Sequence, residues 1–407
     1  MSDSALGPGK TKVIRDPVHG DVFLTDLEMS VVDSPEFQRL RRIKQLGMTN
    51  LVYPSANHTR FEHSIGALHL AGRIADKLEL AIDEKNKIRM AALLHDLGHG
   101  PLSHTSEELL ERYMGMSHEE VTMDVVRGAG ISKRLMEGGL KPEEVGELIM
   151  GRGGYLGKLI SSEFDVDRMD FLVRDAHHTG VAYGVIDLDR LVNTLQVFED
   201  SIVITEGGLQ AVEALMVARF LMTPTVYLHH ASRIADAMFL RAMERAISDG
   251  LVDCRSLYEM DDHDAMCLLR GASGYIEEMG ARLDARKLFK RAYVGEWRDV
   301  DPQMRDALLN LRQEVSRWRA LEADIAGECG LEEGYLILDI PPLPVYQELE
   351  TLVVKDGEVF KIKELSPLMD ILMDAQKSQW SFGVYTPREN VEKVSQVCER
   401  LESYLMS

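Results

Sequence analysis

Cysteine is scarce. The four in 407 residues, Cys254, Cys267, Cys329 and Cys398, form no CxxC or other close pair. That argues against a cysteine-held zinc, and scattered single thiols suit a reducing cytoplasm, the expected location. Positive charge is in deficit: 46 Lys and Arg face 67 Asp and Glu, a formal net charge of -21. Such a surface repels a polyanion. It disfavours a nucleic-acid coat while leaving room for a local basic pocket around a small anion. Long apolar runs are lacking too. Met1 to Lys10 is small, polar and Gly/Pro-containing, unlike a signal peptide, and no later stretch reads as a membrane span. No internal repeat or low-complexity tract stands out. What is there is 45% hydrophobic and 28% charged, the balance of a globular chain with a large core.

Periodicity organises the chain. Lys12 to Leu24 alternates around Asp16, Pro17 and Gly20 and predicts a short hairpin. Pro35 opens a basic helix from Glu36 to Leu46, stopped by Gly47. From Glu62, the residues Ile65, Leu68, Ala71, Ile74, Ala75 and Leu78 line one helical face. A helix from Glu84 to Leu97 ends at Gly98, Gly100 and Pro101, and Ser117 with Glu120 forms a capping box for another. Further helices are expected at Val166–Asp175, Leu188–Phe198, Gly208–Tyr227 and Ser232–Ile247. After about Gly330 the character changes. Tyr335–Ile340, Thr351–Val354, Val359–Ile362 and Trp380–Tyr385 read as strands, with Lys355-Asp356-Gly357-Glu358 as a turn and Glu389–Leu405 as an amphipathic tail helix. The expectation is a mainly α fold: a helical core over residues 1–330 and a small α+β module over 331–407.

The chemistry concentrates at His95-Asp96-Leu97-Gly98-His99-Gly100. Adjacent residues differ by roughly 100° around a helix, so an adjacent His and Asp near a helix end can both reach one ion. Imidazole with carboxylate suits Fe, Mn, Zn, Co or Ni better than Ca. His63 opens the preceding helix, and Asp167 lies in Asp165-Val166-Asp167-Arg168-Met169-Asp170 at the start of another. A bland alternative stands beside this reading: acids in a first helical turn are favoured by the helix dipole, and a lone histidine is often just packed. Density favours the metal, because His95, His99, His104 and His118 crowd one glycine-rich helix end.

These strings carry a resemblance. They are His58-Thr59-Arg60-Phe61-Glu62-His63-Ser64, then His95 to His104, Ser117-His118-Glu119, and Asp165 to Asp170. Lys12 to Gly20, Asp33 to Arg41 and Lys44 to Gly47 extend it. Together they resemble the HD-domain superfamily, and within it the deoxynucleoside triphosphate triphosphohydrolases of the SAM-and-HD-domain type, without the SAM domain. The likeness covers roughly Lys12 to Asp236. It implies an HD-domain helical bundle that hydrolyses dNTPs to deoxynucleoside and inorganic triphosphate.

The resemblance also implies roles. His63, His95, Asp96 and Asp167 would hold a divalent transition metal, with Mg accompanying the triphosphate. His99, His104, Glu107 and His118 would handle the α-phosphate and its proton transfer, with Glu107 standing where Asp is usual. Arg60, Arg168 and Arg219 would hold the triphosphate, with Arg168 in place of a Lys. Gln45, Leu46, Phe171, Asp175 and Tyr227 would surround the deoxyribose, with Phe171 in place of a Tyr. Lys12, Val13, Asp33, Gln38 and Arg41 match an activator site for GTP or a dNTP. There Arg15, Asp21 and His230 depart from the usual Asn, His and Lys. A site of that kind lies between subunits, which implies a homo-oligomer, a dimer or tetramer. Competing readings are an HD phosphohydrolase acting on nucleoside monophosphates or other nucleotides, and a non-catalytic nucleotide sensor.

Overall fold

The computed structural model describes residues 12–162, 164–343 and 350–405. Helices dominate, and the chain divides into two compact units, each assembled from separate stretches. Unit 1 comprises Met1–Tyr227, Asp253–Ala265 and Tyr346–Met369; unit 2 comprises Leu228–Val252, Met266–Val345 and Asp370–Ser407. A single cut at residue 330 therefore does not separate them. The chain returns to unit 1 twice because later segments complete its hydrogen bonding.

Unit 1 opens with the expected hairpin, β1 (Lys12–Asp16) and β2 (Gly20–Leu24), paired from Lys12 opposite Leu24 to Asp16 opposite Gly20. Asp16 makes the turn by accepting the Val18 and His19 N–H groups at 2.9 and 2.7 Å. Two short helices come next, α1 (Asp26–Val32) and α2 (Pro35–Arg39). The second is shorter than its sequence suggests. After a tight turn at Leu40–Arg42 the backbone is extended at Ile43, whose carbonyl accepts the Arg60 N–H at 2.9 Å. Lys44 then bridges Thr59. Tertiary hydrogen bonds override local helix preference here.

The core of unit 1 is α3 (Arg60–Lys77) against α4 (Ile82–Leu94) and α10 (Val166–Thr179). The expected stripe of α3, Ile65, Leu68, Ala71, Ile74 and Ala75, is buried. Between α4 and α10 run α5 (His104–Met114), α6 (His118–Arg127), α7 (Ala129–Glu137), α8 (Pro142–Ile149) and α9 (Tyr155–Lys158). Next come α11 (Leu188–Thr194) and α12 (Leu209–Met222), the latter closed by a wide turn at Thr223–Tyr227.

Two expectations are corrected in this region. The helix expected over Leu188–Phe198 stops at Thr194. Leu195–Phe198 is instead β3, folded onto β4 (Ser201–Thr205) through Glu199 and Asp200, both at positive φ. The strands expected in a C-terminal module separate. β7 (Leu352–Lys355) and β8 (Glu358–Lys361) join this unit 1 sheet in the order β3-β4-β7-β8, with Ile204 and Thr205 of β4 pairing Val353 and Val354 in parallel. A buried edge at Val203 and Ile204 needs a partner, and the partner comes from far along the chain.

Unit 2 carries α13 (His230–Ser248) and a second sheet, in the order β5-β9-β6, of β5 (Lys290–Glu296), β6 (Ile337–Asp339) and β9 (Ser381–Thr386). Helices Pro302–Gln313 and Val315–Glu328 pack Leu308, Trp318 and Ile325 against Leu338, Trp380 and Phe382. Both buried indoles donate to backbone carbonyls, Trp318 to Leu338 at 3.1 Å and Trp380 to Pro341 at 2.9 Å. The expected tail helix is present but broken into Val391–Cys398 and Leu401–Leu405. Among the described residues no single helix is long and apolar enough to cross a membrane.

Candidate metal centre

Three helix ends of unit 1 bring the acids and imidazoles together. His63 lies one turn into α3. His95 and Asp96 come directly after α4, where the helix stops. Asp165 caps α10 by accepting the Arg168 N–H at 2.8 Å, which leaves Asp167 in the first turn. His63 Nε2 then stands 3.2 Å from His95 Nε2, 2.9 Å from Asp167 Oδ1 and 3.6 Å from Asp96 Oδ2. His95 Nε2 stands 3.3 Å from Asp96 Oδ1 and 3.7 Å from Asp167 Oδ1. Bonds of about 2.0–2.2 Å to one cation set neighbouring donors about 3.0–3.5 Å apart.

The ring protons test the fit. His63 Nδ1 donates to Asp170 Oδ2 at 2.8 Å, and His95 Nδ1 donates to the Ala92 carbonyl at 2.8 Å. With both rings neutral the two Nε2 lone pairs face each other, so the contact calls for positive charge, either a cation or, in its absence, a proton on His63. A cation between them resolves it. The charges agree. Burial alone would depress His63, yet hydrogen bonds to Asp167 and Asp170 and the field of Asp96 push it up to about 10. Asp167 is half-buried; desolvation opposes its charge, and His63 and His95 hold it well below the usual carboxylate range. His63, His95 and Asp167 bring their donor atoms into one cluster, while Asp96 clusters with His99 and His118; imidazoles with carboxylates suit a divalent transition metal.

A buried ring of groups outside these four escaped assignment from sequence. Asp170 accepts His63, His19 Nε2 at 2.6 Å, and Arg174 through Nε at 2.8 Å and Nη2 at 3.0 Å. Arg174 also pairs with Asp16 of the hairpin at 2.8 Å. Gly66 on α3 makes room for this: a Cβ there would lie 2.0 Å from Asp170 Oδ1 and 2.3 Å from Arg174 Nη2. The available signal was the acid three residues beyond Asp167, read only as part of a motif.

A second cluster adjoins the first. His99 Nε2 lies 3.3 Å from Asp96 Oδ1, and its ring stacks on His118 at 4.0 Å. Glu107 accepts both His104 Nδ1, at 2.8 Å, and His118 Nδ1. Burial and the charges of Arg60 and His118 hold His99 well below its ordinary value. His118 is raised: burial opposes, and the Glu107 hydrogen bond prevails. Gly98 permits this docking, since a Cβ would meet the His118 carbonyl at 2.2 Å. Thr122 fastens it, accepting the Gly98 N–H at 2.8 Å and donating to the His95 carbonyl at 3.0 Å.

The anion-side residues fall in different situations. Arg60 is buried; Nη1 donates to Asp96 at 2.8 Å, Nε to Ser103 Oγ at 2.9 Å, and Nη2 has no partner among the described residues. Arg168 is engaged by Asp165 at 2.6 Å and by the Ser162 carbonyl. Arg219, on α12, lies within electrostatic reach of Tyr227. Asp175 joins His58 Nε2 at 2.7 Å to the Tyr227 hydroxyl at 2.9 Å, and Phe171 meets the Tyr227 ring edge-on at 6.2 Å. Gln45 is buried and Leu46 half-buried, and the Gln45 N–H donates to the His58 carbonyl at 3.0 Å. Of the activator set, Gln38 and Arg41 share a 2.9 Å hydrogen bond and Gln38 also donates to Val32; Asp33, Lys12 and Val13 are exposed. Arg41 lies over Phe61, 3.5 Å from its ring centroid.

Residues 60–174 match the HD domain, and residues 186–403 match the HD associated region. The chain belongs to the HD-domain phosphohydrolase family. An uncharacterized protein of Methanocaldococcus jannaschii is 38% identical over 387 residues, covering 94% of this chain and 81% of its own. A hypothetical protein from Aquifex aeolicus of known structure superposes with a TM-score of 0.77 at 32% identity, covering 95% of this chain and 99% of that one. The human deoxynucleoside triphosphate triphosphohydrolase SAMHD1 is 29% identical over 347 residues, 70% of this HD-domain chain and 55% of the human protein. The chain thus spans just over half the length of that characterised relative.

Proposed function

We propose that this HD-domain protein hydrolyses deoxynucleoside triphosphates to deoxynucleoside and inorganic triphosphate. The observation that supports it is one juxtaposition. Beside the seat formed by His63, His95, Asp96 and Asp167 lie a buried guanidinium with an unpartnered Nη2 and an imidazole pair tied to one carboxylate. The first neutralises phosphate charge and the second supplies the leaving group's proton, two demands of cleavage at the α-phosphate; the third is a water, which attacks the phosphorus as the bond to the 5′-oxygen breaks. The naming of SAMHD1 as a dNTP triphosphohydrolase points the same way.

The chemistry a divalent cation supplies in this seat is Lewis-acid polarisation of a phosphoryl oxygen. The residues do the rest. Arg60 Nη2 pairs with a phosphate oxygen in place of the partner it lacks, while Nη1 keeps Asp96 oriented. Arg168 and Arg219 turn to the outer phosphates, with Arg168 leaving Asp165 to do so. Glu107 accepts the His118 Nδ1 proton and, by raising His118, keeps the ring an imidazolium whose Nε2–H is the proton that goes to the departing 5′-oxygen. His99 stays neutral against the phosphate, and exposed His104 shares the Glu107 carboxylate. Gln45, Leu46, Asp175 and Tyr227 wall the deoxyribose; Phe171 offers it a ring edge and no hydroxyl. Lys12, Val13, Asp33, Gln38 and Arg41 take a GTP or dNTP activator at a contact between copies, in a homo-oligomer working in the cytoplasm.

The test is a screen of dNTPs and NTPs with Mn, Mg, Fe, Co and Ni, with and without GTP, analysed for the phosphate product. Inorganic triphosphate from dNTPs is expected. Orthophosphate alone sinks the proposal in favour of an HD phosphohydrolase of other specificity.

A further inference from the structure

Asp262 lies outside the HD segment, on the excursion Asp253–Ala265 that returns to unit 1. Its carboxylate is buried and accepts two backbone N–H groups, Leu102 at Oδ1 (2.6 Å) and Lys44 at Oδ2 (3.0 Å). The excursion is locked on either side. Arg42 Nε pairs with Asp261, and Arg39 donates to the Met260 carbonyl at 2.9 Å and the Leu97 carbonyl at 2.6 Å.

The two peptides that Asp262 ties together are those that seat Arg60. The Lys44 carbonyl accepts the Ser103 hydroxyl at 2.6 Å, and that Ser103 oxygen accepts Arg60 Nε at 2.9 Å. Leu102 and Ser103 both hold positive φ, 59° and 55°, and Ser103 has ψ −121°. Side-chain-bearing residues keep such a conformation only where the surroundings over-determine it. His104 comes immediately after and opens α5 with Glu107. One strained link therefore carries both a partner of Arg60 and the start of the proton-handling helix. Burial pushes the Asp262 carboxyl up to about 6, against the pull of the Leu102 and Lys44 N–H groups, so an ionised group sits here at a cost to stability.

We propose that Asp262 is a positioning residue: by clasping the Lys44 and Leu102 peptides it fixes Ser103 beneath Arg60, and so aims the unpartnered Arg60 Nη2 at a phosphate. This rests on the proposed role of Arg60 in binding phosphate. It assigns part of the anion site to the HD associated region, which supplies no ligand of the metal seat.

The test uses the full metal-loaded chain and Asp262→Asn, which keeps the shape but sets an amide N–H against a backbone N–H. Inorganic tripolyphosphate is titrated calorimetrically, triphosphate release from dNTPs is assayed, and metal content is measured. Metal content is expected to stay at the wild-type level while tripolyphosphate affinity falls about tenfold and kcat/KM about 10- to 100-fold. The double variant with Ser103→Ala is expected to bind no worse than the weaker single variant, because both act through Arg60. A role confined to stability would lower Tm and give additive losses. Unchanged affinity, additive losses, or a loss that appears only together with lost metal overturns the proposal. Where Asp262→Asn does not fold, Ser103→Ala decides alone: weakened binding with metal retained supports it, and unchanged affinity overturns it. Wild-type protein that binds tripolyphosphate but releases none from dNTPs overturns the proposed function while the positioning role is still read by titration. Wild-type protein that does not bind tripolyphosphate overturns the positioning role.

Discussion

Replacing Asp170 by Asn removes one charge from the buried ring behind His63 and sets an amide among four donors. Oδ2 receives His63 Nδ1 and Arg174 Nε; Oδ1 receives His19 Nε2 and Arg174 Nη2. Whichever way the amide turns, its NH2 group faces two of them. The milder orientation keeps oxygen toward His63, because His19 can shift its proton to the other ring nitrogen while His63 cannot without losing its ligand atom. Arg174 keeps Asp16 at 2.8 Å. Breaking a buried ion pair from one side costs about 3–5 kcal/mol, and the surviving Asp16 contact places Asp170→Asn near the lower end, about 3 kcal/mol. A weakened outer partner lowers metal affinity about 10- to 100-fold, equivalent to about 1.4–2.7 kcal/mol. Guanidinium unfolding of chelator-treated protein reads the first loss, and metal titration reads the second. A chelated protein with an unchanged midpoint, together with metal affinity within about twofold of wild type, would refute the view that Asp170 orients the site.

Three further outcomes are expected. In chelated protein the folded-state value of His63, about 10, exceeds its ordinary 6.5. Its contribution is then fully present below about pH 6.5 and is lost as pH rises through about 10, so chelated protein should weaken across that window while metal-loaded protein holds; matching profiles would refute this. Gly66→Ala drives a methyl into Asp170 and Arg174, both locked, and should cost about 1–3 kcal/mol with weaker metal retention; wild-type Tm and metal content would show the ring to be slack. His118→Gln should keep the metal and lower kcat by about 10²- to 10⁴-fold with little change in KM, and a rise in KM alone would move His118 from proton transfer to binding.

How much of this is legible in the sequence varies with the distance over which the cause acts. The His95-Asp96 pair sits at a helix end whose breakers are local and reads as a plausible metal centre from sequence, while the full set with His63 and Asp167 is implied by the family resemblance. The ring behind them is another matter. Asp170, Arg174, Asp16 and His19 meet only because of the register between α3, α10 and the hairpin, and nothing in any one segment encodes that register. Gly66 reads as one more small helical residue until its neighbour across the interface is known. Lys44 looks helical because its neighbours are good helix formers, and loses that conformation to Thr59 and Asp262. β7 and β8 are visible as strands and their turn as a turn. Their partner, some 150 residues earlier, is not, since pairing at that separation is settled by burial and not by propensity.

That parallel pairing of β4 with β7 has a consequence for how the molecule is made. A ribosome releases the metal-binding helices first, yet the sheet of unit 1 stays open at Ile204 until Val353 has emerged, and Asp262 arrives in between. Contacts this non-local slow folding and leave an unpaired strand edge waiting, the kind of surface that draws other chains. Shortened forms ending near residue 330 would keep all four proposed metal ligands and still lack β7, along with β6 and β9 of unit 2. They are expected to be made and then to aggregate, which makes the last strands a checkpoint on a centre whose residues all lie far earlier in the chain.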